Sequence, residues 1–429
     1  MTTSPLRLGI AGLGTVGTGV VKILQSHADL LTARCGRPLQ LVAVTAQSRD
    51  KDRGIDISAY DWAENADALA IRDDIDVYVE LMGGSDGAAR SSIMAALDAG
   101  KDVVTANKAL LALHGQTLAE QAEDAGRVIR FEAGVAGGIP CVKALTEGLA
   151  GNEITRVLGV MNGTCNYILT RMQDAGLSYD EVFREASDLG YLEADPTLDT
   201  GGIDAGHKLA LLAAIAFGAK VDFDAVRLEG IERITIEDID RAADMGFRIK
   251  LLGVARMSGR GLEQRMTPCL VPDSSPLGQL EGATNMVVID GDASGQIVLR
   301  GAGAGEGPTA SAVMSDIVDV ARGLRLPTFG QPARSLADLP RAQASVPAPY
   351  YLRLELLDKP GALSKIAAKL GDAGISIDRM RQYGHAEASA PVLIVTHKTT
   401  RDALDHAIGD FSTTGVLAAD PVAIRIEMV

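Results

Sequence analysis

Residues 6–25 read LRLGIAGLGTVGTGVVKILQ, an apolar strand that runs straight into glycines and then into a helical pattern. The spacing Gly12-Leu13-Gly14-Thr15-Val16-Gly17 is a G-x-G-x-x-G arrangement at a strand-to-helix turn. Gly12 permits the tight turn, Gly14 lets the backbone approach a pyrophosphate, and Gly17 lets the helix pack on the strand. The helix start, at Thr15 and Val16, then offers N–H groups to phosphate oxygens. A glycine-rich turn with no ligand is the rival reading, and the surroundings weigh against it. Further short apolar runs follow at Leu39–Thr45, Val77–Leu81, Val103–Thr105 and Val128–Phe131, with helical patterns between them. That alternation reads as βαβ units on a parallel sheet.

The second of these strands runs into TAQSRDKDRG, where an acidic residue would mark NAD. Arg49, Lys51 and Arg53 stand there instead. Arginine and lysine suit a 2′-phosphate, so NADP is the expected cofactor. The interleaved Asp50 and Asp52 keep a solvated charged loop, and NAD, open. Gly83 and Gly84, just past the run Val77–Leu81, are expected near the nicotinamide.

The chain has 429 residues, 47% hydrophobic and 23% charged, with a net charge of −15. Length and composition suit a globular protein of about three domains. The acidic balance argues against a nucleic-acid partner, and nothing favours a membrane surface. No apolar run reaches the ~18 residues of a membrane span. Cys35, Cys141, Cys165 and Cys269 lack the spacing of a disulfide framework or zinc site. A reducing cytoplasm is the simplest home. The Pro/Ala-rich stretch GQPARSLADLPRAQASVPAP, residues 330–349, reads as a linker. Beyond it the pattern is βαββαβ, a ferredoxin-like order.

In GYLEADPTLDTGGIDAGHKLALLAAIAFG, residues 190–218, Asp204 and Lys208 are four apart on a helix and leave the same face. Charges among leucines must be paired or used. Burial there should weaken the hold of Lys208 on its proton, which suits a general acid. A structural ion pair is the alternative. His207 should point about 100° away and serve a core or an interface.

Six motifs stand in one order: GLGTVG, VTANKALLA, FEAGVAGGIP, MNGTCNYIL, GYLEADPTLDTGGIDAGHKL and GAGAGEGPTASAV. Together they resemble the homoserine dehydrogenases over about residues 5–335, and the segment with DKPGALSKI resembles an ACT domain. The resemblance implies an α/β chain. Its parts are a Rossmann-type dinucleotide-binding domain (1–135) and an α+β substrate and dimerisation domain (136–335) whose last part, from about 300, returns to the cofactor domain. A linker (336–349) and a ferredoxin-like ACT regulatory domain (350–429) follow. It further implies NAD(P)-linked interconversion of L-aspartate 4-semialdehyde and L-homoserine in threonine, methionine and isoleucine biosynthesis.

On that resemblance Lys208 is the proton donor and Lys108 a lysine at the cofactor–substrate boundary. Glu193 and Asp204 grip the substrate ammonium, with Asn162, Gly163 and Thr164 close by. Capping of the following helix is a competing role, expected of Thr164. Cys165 is read as packing. Gly190, Gly303 and Gly305 join the cofactor set. Glu132 with the carbonyls of Val135, Gly137 and Ile139 matches a loop for a monovalent cation, Na⁺ or K⁺, with a purely structural turn as its rival. The ACT resemblance points to threonine as an effector at Asp358, Gly361, Ala362 and Leu363, and to a homodimer or homotetramer. A catalytically dead amino-acid sensor is the competing function. An aspartate-semialdehyde dehydrogenase would need a cysteine nucleophile with a histidine base, and neither Cys141 nor Cys165 has one nearby in sequence.

Overall fold

The computed structural model describes residues 4–192, 197–343, 345–383 and 389–428. Six strands form the first sheet: β1 (Leu6–Ala11), β2 (Leu39–Thr45), β3 (Asp61–Trp62), β4 (Val77–Glu80), β5 (Asp102–Thr105) and β6 (Ile129–Arg130). They lie in the order β3-β2-β1-β4-β5-β6, every neighbouring pair parallel. Strand order reverses between β1 and β4, and ligands of such sheets sit at the carboxyl ends flanking that reversal. Helix α1 (Thr15–Ser26) leaves β1 there, and α2 (Lys108–Asp124) leaves β5 at the same edge. β1 and β4 are almost wholly buried, as their largely apolar runs require of strands covered on both faces.

The middle of the chain folds on a second sheet. Its strands are β7 (Ile154–Val160), β8 (Arg227–Leu228), β9 (Phe247–Ser258), β10 (Gly261–Pro272), β11 (Thr284–Gly291) and β12 (Gly295–Ala302). Helices α3 (Gly163–Ala175) and α4 (Ile203–Phe217) pack on it. Helix α5 (Glu306–Ala321) then crosses back to lie along α1. Gly19 makes the approach possible, since a Cβ there would fall 2.8 Å from Glu306 Cγ and 2.9 Å from its carbonyl oxygen. Lys22 and Glu306 close the contact at 2.7 Å.

The last segment contains β13 (Tyr350–Leu357), α6 (Ala362–Asp372), β14 (Ile377–Gln382), β15 (Ser389–Thr396), α7 (Arg401–Phe411) and β16 (Val422–Ile426). Its strand order β16-β13-β15-β14 is the ferredoxin-like one, over a core built from Leu352, Ile366, Ile394, Leu404 and Phe411. This sheet is not separate. β16 pairs in parallel with β10, Cys269 opposite Arg425 and Leu270 opposite Ile426, so both segments share one ten-stranded sheet. The stretch read as a linker is docked rather than free: Ala337 bridges Ala219, and Arg341 bridges Leu262. No helix among the described residues is long and apolar enough to cross a membrane.

Candidate active site

The turn from β1 into α1 is shaped by its glycines. Gly12 has φ +102°, and a Cβ on it would lie 2.4 Å from the Leu81 carbonyl oxygen; on Gly17 it would lie 2.0 Å from that of Gly12. Around Gly14, by contrast, a Cβ would meet nothing within 4 Å. Gly14 caps α1 without a side-chain hydrogen bond, and no acidic residue stands in the first turn. Open backbone N–H groups at a helix start, with clear space above them, fit a dinucleotide pyrophosphate. Arg53, grouped by its sequence with the 2′-phosphate candidates, is committed elsewhere. It donates to the carbonyls of Leu13 at 3.0 Å and Lys51 at 2.8 Å, and also to that of Ser48, tying the loop after β2 to the glycine turn. Arg49 and Lys51 remain exposed on that loop, Arg49 lying 5.9 Å from the Trp62 ring centre.

At the end of β4 a residue that sequence reasoning passed over organises the neighbouring loop. Glu80 is fully buried and accepts from the N–H of Met82 at 2.7 Å, that of Gly83 at 3.3 Å, and the Thr105 hydroxyl at 2.6 Å. Thr105 in turn accepts from the Asn107 N–H, and the Asn107 amide donates to the Gly84 carbonyl at 2.7 Å. Asn107 also caps α2, whose first residue is Lys108. Burial pushes the Glu80 carboxyl up, against hydrogen bonds from Thr105, Met82, Gly83 and Asn107. The available signal was an acid ending an otherwise apolar strand, VYVE.

Asp204 stands at the centre of the cleft's charges. Its Oδ2 accepts from Lys208 Nζ at 2.6 Å, and its Oδ1 lies 2.9 Å from Lys108 Nζ. Burial works against its charge, but the two ammonium groups outweigh it and hold the carboxyl well below the usual carboxylate range. Lys208 also donates to the Met161 carbonyl at 2.9 Å. It is therefore a paired cation held in place rather than an ammonium isolated among leucines. Gly202, at φ +81°, turns the chain into α4 and so sets the direction of this pair.

Asp204 and Lys108 face a cleft of about 450 Å³ between the two sheets, lined also by Gly83, Gly84, Asn107 and His207 among others. Val16 of the glycine turn reaches the same cleft. The expectation that His207 points elsewhere is corrected here. Its ring rests on Phe223 at 4.2 Å between centres, yet it also forms part of the wall. Burial lowers its pKa, and the lysine charges add to that against the pull of Asp204.

Other expected residues are placed differently. Asn162, not Thr164, caps α3: its side chain accepts from the Cys165 N–H at 2.8 Å while its amide donates to Asp199 at 2.9 Å. The short Asn side chain reaches back over the first turn, whereas the Thr164 hydroxyl donates outward to the Tyr191 carbonyl at 3.0 Å. Gly163 has a packing reason, since a Cβ would fall 2.5 Å from the Ala283 carbonyl oxygen. Cys165 is buried and contacts the Asp199 carbonyl. Gly190, at φ +74°, follows the helix Tyr179–Asp188. Glu193 lies outside the described residues.

Gly303 borders the loop expected to hold a cation. A Cβ on Gly137 would lie 2.5 Å from the Gly303 carbonyl oxygen, and Gly305, at φ +119°, opens α5. Within FEAGVAGGIP, Ala136 is the one non-glycine residue with positive φ among those described, at 53°. The Glu132 carboxylate is occupied by the N–H groups of Val142 at 3.0 Å and Lys143 at 2.8 Å. It caps the short helix there, so a cation in this loop would be met by backbone carbonyls. Burial, with the nearby Asp316 charge, pushes the Glu132 carboxyl up to about 7. In the C-terminal segment Gly361 caps α6 at φ +84°, and the Ala362 N–H is taken by the Lys359 carbonyl at 3.1 Å. Fewer N–H groups of that turn are therefore free for a ligand than its sequence suggests.

Comparison with known proteins places the chain in a family. Family models match residues 12–132 (homoserine dehydrogenase, NAD binding domain), 140–318 (homoserine dehydrogenase) and 350–412 (ACT domain). A homoserine dehydrogenase of Neisseria gonorrhoeae is 41% identical over 99% of both chains. The crystal structure of one from Thiobacillus denitrificans superposes with a TM-score of 0.94 at 40% identity, covering 100% of each chain. A hyperthermophilic archaeal homoserine dehydrogenase mutant in complex with NADPH matches 76% of this chain and 99% of its own at 26% identity, with a TM-score of 0.64. With its glycine turn, its lysine-flanked aspartate and these full-length likenesses, the chain belongs to the homoserine dehydrogenase family.

Proposed function

We propose that the chain reduces L-aspartate 4-semialdehyde to L-homoserine, reversibly, with NADPH, and that Lys208 is the proton donor. The observation that carries this reading is Asp204 held between Lys108 and Lys208 at the wall of the cleft. When bound, the reduced nicotinamide supplies a hydride to the aldehyde carbon. Lys208 Nζ gives a proton to the oxygen that becomes alkoxide, leaving a neutral amine that solvent reprotonates. Asp204 fixes the direction of that donor and keeps the ammonium paired until substrate arrives. Lys108, across the carboxylate, holds the cofactor side of the cleft and stabilises charge on the substrate. Asp204 and Glu193 then receive the substrate ammonium, with Asn162, Gly163 and Thr164 behind them.

Exposed Arg49 and Lys51 support NADP, as does the NADPH complex of the archaeal relative. Gly12, Gly14, Thr15, Val16, Gly17, Gly83, Gly84, Gly190, Gly303 and Gly305 make up the proposed cofactor set. Glu132 and the carbonyls of Val135, Gly137 and Ile139 would hold Na⁺ or K⁺. Threonine at the turn Asp358–Leu363, a homodimer or homotetramer, and a cytoplasmic home complete the proposal. Oxidation of L-homoserine with NADP⁺ and NAD⁺ in parallel tests it. Turnover is expected with both, faster with NADP⁺; none with either, in folded protein supplied with Na⁺ or K⁺, removes the assignment.

A further inference from the structure

The carboxylate that ends β4 stands in a costly place. Glu80 is fully buried and follows Val77, Tyr78 and Val79, which are buried as well. An ionisable group there burdens the fold unless its hydrogen bonds do what a neutral side chain cannot. Both of its oxygens meet donors: Oε1 the N–H groups of Met82 at 2.7 Å and Gly83 at 3.3 Å, Oε2 the Thr105 hydroxyl at 2.6 Å. Thr105 Oγ1 accepts from the Asn107 N–H at 2.9 Å, and the Asn107 amide donates to the Gly84 carbonyl at 2.7 Å. These bonds close a ring that joins the end of β4 to the end of β5.

Packing does not fix the turn that the ring holds. Gly83 and Gly84 stand at φ +84° and +83°, and a Cβ on either would meet nothing within 4 Å. Glycine backbone of that kind samples many conformations unless hydrogen bonds select one. Upstream, Leu81 is pinned to the glycine turn: its N–H donates to the Ala11 carbonyl at 2.7 Å, and its own carbonyl oxygen abuts Gly12. Downstream, Asn107 accepts from the Leu110 N–H at 3.1 Å and so sets the start of α2 at Lys108. Met82, Gly83, Gly84, Asn107 and Lys108 all line the cleft. One buried carboxylate thus connects the two glycines proposed for the nicotinamide end with the lysine that is paired to Asp204.

We infer that Glu80 is a positioning residue for the hydride transfer. It shapes residues 82–84 for the nicotinamide half of the cofactor before that half arrives, and it places Lys108 in the same unit. The inference rests on the proposed reaction only for its kinetic arm. A glutamine at 80 would keep the shape and lose the pattern of bonds. Its NH₂ would face either the two backbone N–H groups or Thr105 Oγ1, which already accepts from Asn107, leaving the Thr105 hydroxyl proton without its acceptor. Valine at 105 would break the ring at its next link.

The test compares the affinity of the full chain for NADPH with that for 2′-phospho-ADP-ribose, the same cofactor without its nicotinamide. Parent, Glu80→Gln, Thr105→Val and the double variant are titrated side by side. Glu80→Gln should weaken NADPH by about tenfold or more and the fragment by no more than about twofold. Thr105→Val should act in the same sense, and the double variant should lose less than the two single losses combined. In the ligand-free chain, Glu80→Gln should speed hydrogen exchange at the Met82 and Gly83 amides. In single turnovers at saturating NADPH, reduction of the semialdehyde should slow by about tenfold to a hundredfold, so that the defect appears in kcat as well as in KM. Ile93→Val, a change in the buried core of the first domain, should lower the melting temperature and leave the ratio of the two affinities unchanged. Equal loss of both ligands, unaltered NADPH binding, unaltered exchange at residues 82 and 83, or strictly additive variants would overturn the role. If Glu80→Gln fails to fold, Thr105→Val decides by the same ratio. A parent chain that binds NADPH yet never oxidises homoserine would indict the proposed reaction, and the affinity ratio would still decide on Glu80.

Discussion

One carboxylate serving two ammonium groups is a demanding arrangement, and its value lies in geometry. Asp204 fixes Lys208 from one oxygen and Lys108 from the other, so both cations are held in set positions beside a carboxylate that lines the cleft. Lys208→Ala should lower turnover by roughly 10²–10⁴-fold with little change in NADPH affinity, measured by single-turnover kinetics and fluorescence titration. Near-normal turnover would exclude it as the donor. Lys250 gives a second prediction. Its ammonium is 4% exposed and donates to Asn166 at 3.0 Å and to the Leu280 carbonyl. Burial, aided by the charge of Arg248, lowers its pKa from 10.5 to about 8. Below that range both the folded and the unfolded chain hold the proton, and the buried charge costs stability. Between the two values only the unfolded chain keeps it, so this residue makes stability rise with pH, by about 3 kcal/mol at most. Urea midpoints from pH 7 to 10 should show the rise in the parent chain and lose that part of it in Lys250→Met.

Among the elements, the glycine turn and α1 were readable because their constraint is local. A carbonyl 2.0 Å from a would-be Cβ leaves no alternative to glycine at Gly17. Gly17→Ala should therefore separate α1 from its turn and weaken cofactor binding by at least about a hundredfold, with a smaller loss of stability, read by titration and melting. The strands of the first sheet and the βαββαβ order were legible for a related reason, since short, mostly apolar runs between helical patterns have few other uses. Elements whose meaning depends on distant partners were not. Glu80 looks like the end of a core strand until Thr105 and Asn107 are brought beside it. Asn162 and Thr164 are chemically equivalent caps on paper, and only the backbone at residue 162, at φ −126° and ψ 112°, decides between them. The Asp204–Lys208 pair was visible from its spacing, whereas its third member, Lys108, is separated from it by almost a hundred residues and was suggested only by family resemblance.

At the scale of the whole molecule, the tie between the C-terminal segment and the rest is electrostatic as well as hydrogen-bonded. Glu427 is 4% exposed and receives Arg156 and Arg256 at 3.2 Å and Arg425 at 3.1 Å, with Arg265 also in direct contact. Burial opposes its charge, but Arg265, Arg425 and Arg256 hold the carboxyl below the ordinary glutamate value of 4.5. Its contribution is thus present above that pH and lost as acid titrates it. Glu427→Ala should cost roughly 3–5 kcal/mol, because Arg425 and Arg256 lose their counter-ion, while Arg156 and Arg265 keep Asp290 and Glu263. A melting temperature several degrees lower in calorimetry would show it; an unchanged one would mean the arginines find other partners. None of this was legible in the sequence, where arginines 156, 256 and 265 and a glutamate at 427 share no pattern.

The pairing of β16 with β10 also has a consequence in time. While the chain is being made on a ribosome, the middle sheet is finished early, yet that stretch of its β10 edge has no partner until residue 426 has emerged. An uncovered edge strand rich in buried apolar residues invites pairing between neighbouring nascent chains. The newborn protein is therefore most exposed to aggregation during the synthesis of its C-terminal third, and a chaperone that shields that edge would help it more than one that acts on the first sheet.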